Sequence, residues 1–196
     1  MKSAVRLSLL LLLGGVLLGC QSVKISTGPP TDEQAINSSE ARGKELKTEW
    51  YSRLNAASPQ EKMALVRNFA DSTVAQLVRY GYRIADLWHD ANTGSGREVP
   101  DTEMRQVVEN STRNDLPLLE SFEQTLEYGV AEILRTEYFD DSAIHALKAL
   151  QSQYYNVYSA VFYPAGTVGD YEYRLGTLET ETREVSAQLQ QELDRF

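Results

Sequence analysis

The chain has 196 residues, with 28 acidic side chains against 19 basic ones and a formal charge of −9 at neutral pH. That balance argues against nucleic acid as a partner, because phosphates are held by Lys and Arg. It equally disfavours a domain body lying flat on anionic lipid. One cysteine, Cys20, leaves no internal disulfide to form, so packing must carry the stability.

The first element is a leader. Lys2 and Arg6 precede an apolar run from Leu7 to Leu18, broken only by Ser8 and Gly14-Gly15. This is the basic-then-apolar layout of a secretory signal, and it is shorter than the ~20 apolar residues of a spanning helix. The run ends in Leu17-Leu18-Gly19-Cys20, which resembles the lipobox of bacterial lipoproteins.

The resemblance covers residues 1–20 and implies cleavage before Cys20, a diacylglycerol thioether on its sulfur and acylation of the new amino terminus. One chain binds a membrane only marginally, at ~0.8 kcal/mol per buried methylene, so several chains are what make such an anchor last. Gln21 follows where an Asp would favour inner-membrane retention, so the resemblance implies the outer membrane of a Gram-negative cell, facing the periplasm. An acylated Cys20 leaves no thiol for catalysis, metal binding or redox switching. Lys2 and Arg6 are the leader's only charges, so its removal makes the chain two units more acidic.

Residues 20–38 read as a lipidated tether containing Gly28 and Pro29-Pro30, and residues 39–196 as one helical domain. Leu46, Trp50 and Leu54 predict a first helix over 39–57. Ser58-Pro59-Gln60-Glu61 is a helix start, with Ser58 as cap and Glu61 closing a capping box. A long helix follows to about Ala91, with Met63, Val66, Ala70, Val74, Leu77, Gly81, Ile84 and Trp88 on one stripe, widened by Leu65, Phe69 and Leu87. Asn92 to Gly96 reads as an exposed connection.

A shorter helix carrying Met104, Val107 and Val108 begins at Asp101 or Thr102. A longer one restarts near Pro117 and runs to about Phe139. Asp140-Asp141-Ser142 caps a helix over 143–163, and Pro164-Ala165-Gly166 stops it. From Gly169 to Phe196, Tyr171, Leu175, Leu178, Thr182, Val185 and Leu189 recur at four and three. No alternating run suggests a sheet. The expectation is an all-α, single antiparallel bundle of five to six helices.

Candidate chemistry is sparse. His89 has Asp86 three before it, and His145 has Asp141 four before it. Four such groups facing one another could bind a divalent metal or serve a hydrolytic enzyme, although the Glu-x-x-His motif of di-metal bundles is absent. The bland alternative is surface pairing along each helix. Gly94-Ser95-Gly96 lacks the preceding strand of a nucleophile turn, and Gly166 to Gly169 lacks the lysine of a phosphate loop.

The most uneven feature is aromatic. Tyr154, Tyr155, Tyr158, Phe162, Tyr163, Tyr171 and Tyr173 crowd around the Pro164–Gly169 turn. Tyrosine offers contact area, low entropy loss and a hydroxyl, which suits recognition. Tyr154 and Tyr158 fall on the inner face, so Tyr155, Phe162, Tyr163, Tyr171 and Tyr173 are the expected partner-binding residues. The expected function is a non-catalytic interaction module without cofactor, held to the membrane by lipid on Cys20 and binding an envelope protein. A carrier of a small apolar ligand is a further alternative.

Overall fold

The computed structural model describes residues 32–196, so the leader, Cys20 and the tether as far as residue 31 lie outside the described residues. Six helices follow: α1 (Asp32–Ala56), α2 (Pro59–Ser95), α3 (Asp101–Thr112), α4 (Leu116–Leu134), α5 (Asp141–Phe162) and α6 (Val168–Leu193). No strand occurs among the described residues. The chain is an all-α helical bundle.

Local chemistry sets the helix ends. α1 begins at Asp32 instead of Ser39, which takes residues 32–38 out of the expected tether. Asp32 and Glu33 put negative charge on its first turn, where the helix dipole favours it. At the start of α2 the expected capping box forms: the Ser58 hydroxyl accepts from the Glu61 amide, and the Glu61 carboxylate accepts from the Ser58 amide at 2.9 Å. α2 then runs on through Asn92-Thr93-Gly94 to Ser95, where a shorter helix and an exposed connection were expected.

Two bonds fold the following turn back onto that extension. The Asn92 side-chain carbonyl accepts from the Val99 amide at 2.7 Å, and the buried Trp88 indole donates to the Val99 carbonyl at 2.8 Å. Gly96, at φ 63°, supplies the left-handed residue that ends the helix. α4 stops at Leu134, short of the expected Phe139, and Glu137 turns the chain at φ 50°. Asp140 caps α5 by accepting from the Ala143 amide at 3.0 Å. Thr167 and Asp170 form a second capping box that starts α6.

Cross-helix pairs give the directions. α2 runs antiparallel to α6, since Asp71 meets Ser186 near one end and His89 meets Glu172 near the other. α5 is antiparallel to α6, with Gln153 opposite Glu181 and Val161 opposite Tyr171. α4 is antiparallel to α2: Phe122 faces Phe69, and Glu132 faces Lys62. Successive long helices therefore alternate. α1 instead lies beside α4 and parallel to it, as the pairs Ser39–Leu118, Lys47–Gln124 and Asn55–Tyr128 show.

The expected stripe of α2 is the centre of the core; its apolar members are all buried. Leu87, expected to widen that face, is instead 44% exposed. Gly81 lets α6 close in: a methyl there would sit 2.7 Å from a Leu175 methyl. On α6 the buried residue between Thr182 and Leu189 is Ser186, while Val185 is only half-buried. Thr182 is tolerated inside because its hydroxyl donates to the Leu178 carbonyl at 2.7 Å.

Candidate interaction face

The tyrosine-rich segment divides three ways. Tyr171 is core: it is 1% exposed, it packs on Trp88, and its hydroxyl reaches the Val161 carbonyl. Its expected role in partner binding is therefore wrong; a residue one turn inside α6 facing Gly81 closes the bundle. Tyr173 is 79% exposed, on α6. Tyr155, Phe162 and Tyr163 belong together, on or just after α5, and a row of acids on α4 stands beside them.

That row is Glu120, Glu123 and Glu127, which recur at helical spacing along one side of α4. The Tyr155 hydroxyl donates to Glu127 at 2.7 Å. Burial pushes that phenol well above its usual range, and the bonded Glu127 and nearby Glu123 push it further. Tyr158 is raised too, by burial first, then by Glu123, Tyr163 and Glu120. Glu127 thus meets Tyr155, and Glu123 and Glu120 act on Tyr158 further along, in the antiparallel order of the two helices.

The rings form a continuous stripe. Tyr154 meets Tyr155 edge-on at 5.5 Å and Tyr158 at 6.3 Å, Tyr158 meets Phe162 at 4.5 Å, and Phe162 stacks on Tyr80 at 6.5 Å. Tyr155, Tyr158 and Phe162 are half-buried, and Tyr163 is 63% exposed.

The acids are short of cations. Burial raises the Glu123 carboxyl above its usual range, and Glu127 and Glu120 raise it further by repulsion. α4 contains no lysine or arginine, and α5 contains only Lys148. Glu132, also on α4, pairs with Lys62 and Arg135, whereas no ion pair among the described residues reaches Glu120, Glu123 or Glu127. Tyr154 lies behind this row, fully buried, and its hydroxyl has no hydrogen-bond partner. Glu123 is the charge acting most strongly on that hydroxyl.

The metal candidates do not assemble. His89 pairs across helices with Glu172 at 3.2 Å. His145 lies in the first turns of α5, whose opposite end meets Tyr171, so about 24 Å of helix separates the two histidine levels. Asp86 and Asp141 stay with their own histidines at opposite ends. Among the described residues no group of three or more His, Cys, Asp or Glu could hold a metal ion.

A groove of about 530 Å³ opens between α2 and α6, but its walls carry Arg67, Asp71, Glu179, Arg183 and Gln190. Ser186 donates to Asp71 at 2.7 Å, and Arg67 donates to Gln190. Burial raises the Asp71 carboxyl, with the Ser186 bond and Arg67 opposing the shift.

Glu120, Glu123 and Glu127 were not singled out from sequence, yet a signal was present: acids at i, i+3 and i+7 on a helix without a basic residue. In comparison with known proteins, no family model, no curated protein and no solved structure matches the chain. No helix among the described residues is long and apolar enough to cross a membrane.

Proposed function

We propose that the chain is a lipid-anchored interaction module of a Gram-negative outer membrane, working in the periplasm and binding an envelope protein through α4 and α5. The observation that carries this reading is the stripe Tyr155–Tyr158–Phe162–Tyr163 set beside three carboxylates that no ion pair among the described residues reaches. A domain serving only as a spacer has no use for such a face. The lipobox residues Leu17 to Cys20 supply the anchor in this reading.

Geometry supports the combination. The described chain begins at Asp32, which bonds Asn114 at the end of the bundle where α4 starts and α5 finishes. Residues between Cys20 and Asp32 could extend to about 40 Å at most. Tethering of this kind raises the local concentration of a face near a membrane-bound partner without any added contact.

The test is a crosslinked capture of the native protein from its own envelope beside a soluble Cys20→Ala form. The reading expects a partner recovered in stoichiometric amount, lost on Tyr163→Ala and weakened without the anchor. Recovery that is indifferent to both substitutions would contradict it.

A further inference from the structure

The face sets aromatic rings beside negative charge, which describes its partner by complement. We infer that the α4–α5 face binds a lysine- or arginine-rich segment of the partner protein, an inference that rests on the reading above. Three observations converge. No ion pair among the described residues reaches Glu120, Glu123 or Glu127, and Glu123 is repelled by the other two. The Tyr154 hydroxyl is buried without a hydrogen-bond partner, and Glu123 is the carboxylate that acts most strongly on it. Tyr155 and Tyr158 present ring surface next to the same acids, and aromatic faces attract a desolvated ammonium or guanidinium.

The layout selects a segment over a single ion. The row spans about 10 Å along α4, seven residues at helical rise. The carboxylates do not converge as metal ligands must. Cationic side chains spaced along a peptide, each reaching one carboxylate, satisfy what one ion cannot. The general acidity of the chain steers such a partner toward the surface, and the rings determine where it settles.

The experiment titrates the natively processed full-length protein in detergent with a lysine–serine alternating nonapeptide. A glutamate–serine nonapeptide and spermidine serve as comparison probes. The expected result is saturable, salt-sensitive binding of the lysine peptide, weakened roughly ten-fold or more by Glu123→Gln with Glu127→Gln. The equally charge-reducing pair Glu45→Gln with Glu184→Gln, on α1 and α6, should leave it unchanged. Circular dichroism of each variant confirms that the helices persist.

Equal weakening by both pairs would overturn the inference, because binding would then follow net charge alone. Spermidine binding as tightly as the peptide would overturn it in favour of a small free cation. If the capture experiment recovers a partner through Tyr163 while the Glu123 and Glu127 variants bind it fully, the interaction reading stands and this inference fails.

Discussion

Tyr154 is the residue with the most unusual balance. Its ring fills the core between Tyr155 and Tyr158, while its hydroxyl lies buried without a partner. An unsatisfied buried hydroxyl costs about 1–3 kcal/mol, so Tyr154→Phe should stabilise the free chain by about 1 kcal/mol in chemical denaturation. Destabilisation would show that the hydroxyl has a structural role.

Asp71 yields a prediction in pH. Its folded value is raised by burial above the ordinary 3.8, despite the Ser186 bond and Arg67. Between the two values the folded chain keeps a proton that the unfolded chain has released. The contribution of this group to stability is therefore full below the unfolded value and is lost as pH rises through the folded one. Asp71→Asn keeps an acceptor for Ser186 and removes the titration. Melting temperatures from about pH 4 to pH 7 should fall less steeply in the variant than in the parent.

At the scale of elements, strong periodicity and capping chemistry were legible in the sequence, and weak signals were not. α2 announced itself through Ser58, Glu61 and an unbroken apolar stripe, all of which the structure keeps. The first turns of α1 did not. That helix joins α4 through small residues instead of large apolar ones: a methyl on Gly43 would run into the Ser121 hydroxyl, and Ser39 accepts from the Leu118 amide at 3.2 Å. Residues 32–38 hold only Ala35 and Ile36 as apolar side chains, too few for a stripe, so their composition resembled a tether. The α2 extension was hidden in the same way, since the bonds of Asn92 and Trp88 to Val99 are tertiary.

Ser39 contributes more than contact area. Asp115, before α4, makes no side-chain cap, and Ser39 reaches across from α1 to the first turn. Ser39→Ala should cost about 1 kcal/mol and loosen the start of α4, visible as faster amide exchange at Leu118. Gly81→Ala should cost about 1–3 kcal/mol, because Leu175 and Tyr171 already fill the space. A neutral Gly81→Ala would mean that α2 and α6 pack less closely than described here.

For the whole molecule, the fold explains how one face comes to be unneutralised. α4 sits between α1, α2 and α5, and its basic neighbours Lys47 and Lys62 pair with Gln124 and Glu132 instead of with Glu120, Glu123 or Glu127. The side shared with α5 receives rings instead of cations. The sequence showed the tyrosines but not which carboxylates they would meet, because that meeting depends on the antiparallel register of α4 and α5. Register also explains why Tyr171 was misplaced: near the Pro164 turn, local spacing does not tell a closing core residue from an exposed one.

Position-specific photocrosslinking in cells tests the α4–α5 face, with a photoreactive residue replacing Phe162 in one strain and Ala187 on α6 in another. The account predicts one discrete, saturable adduct from position 162, diminished by Glu123→Gln with Glu127→Gln, and none from position 187. Equal adducts from both positions, or an adduct from 187 alone, would contradict the assignment of the α4–α5 face.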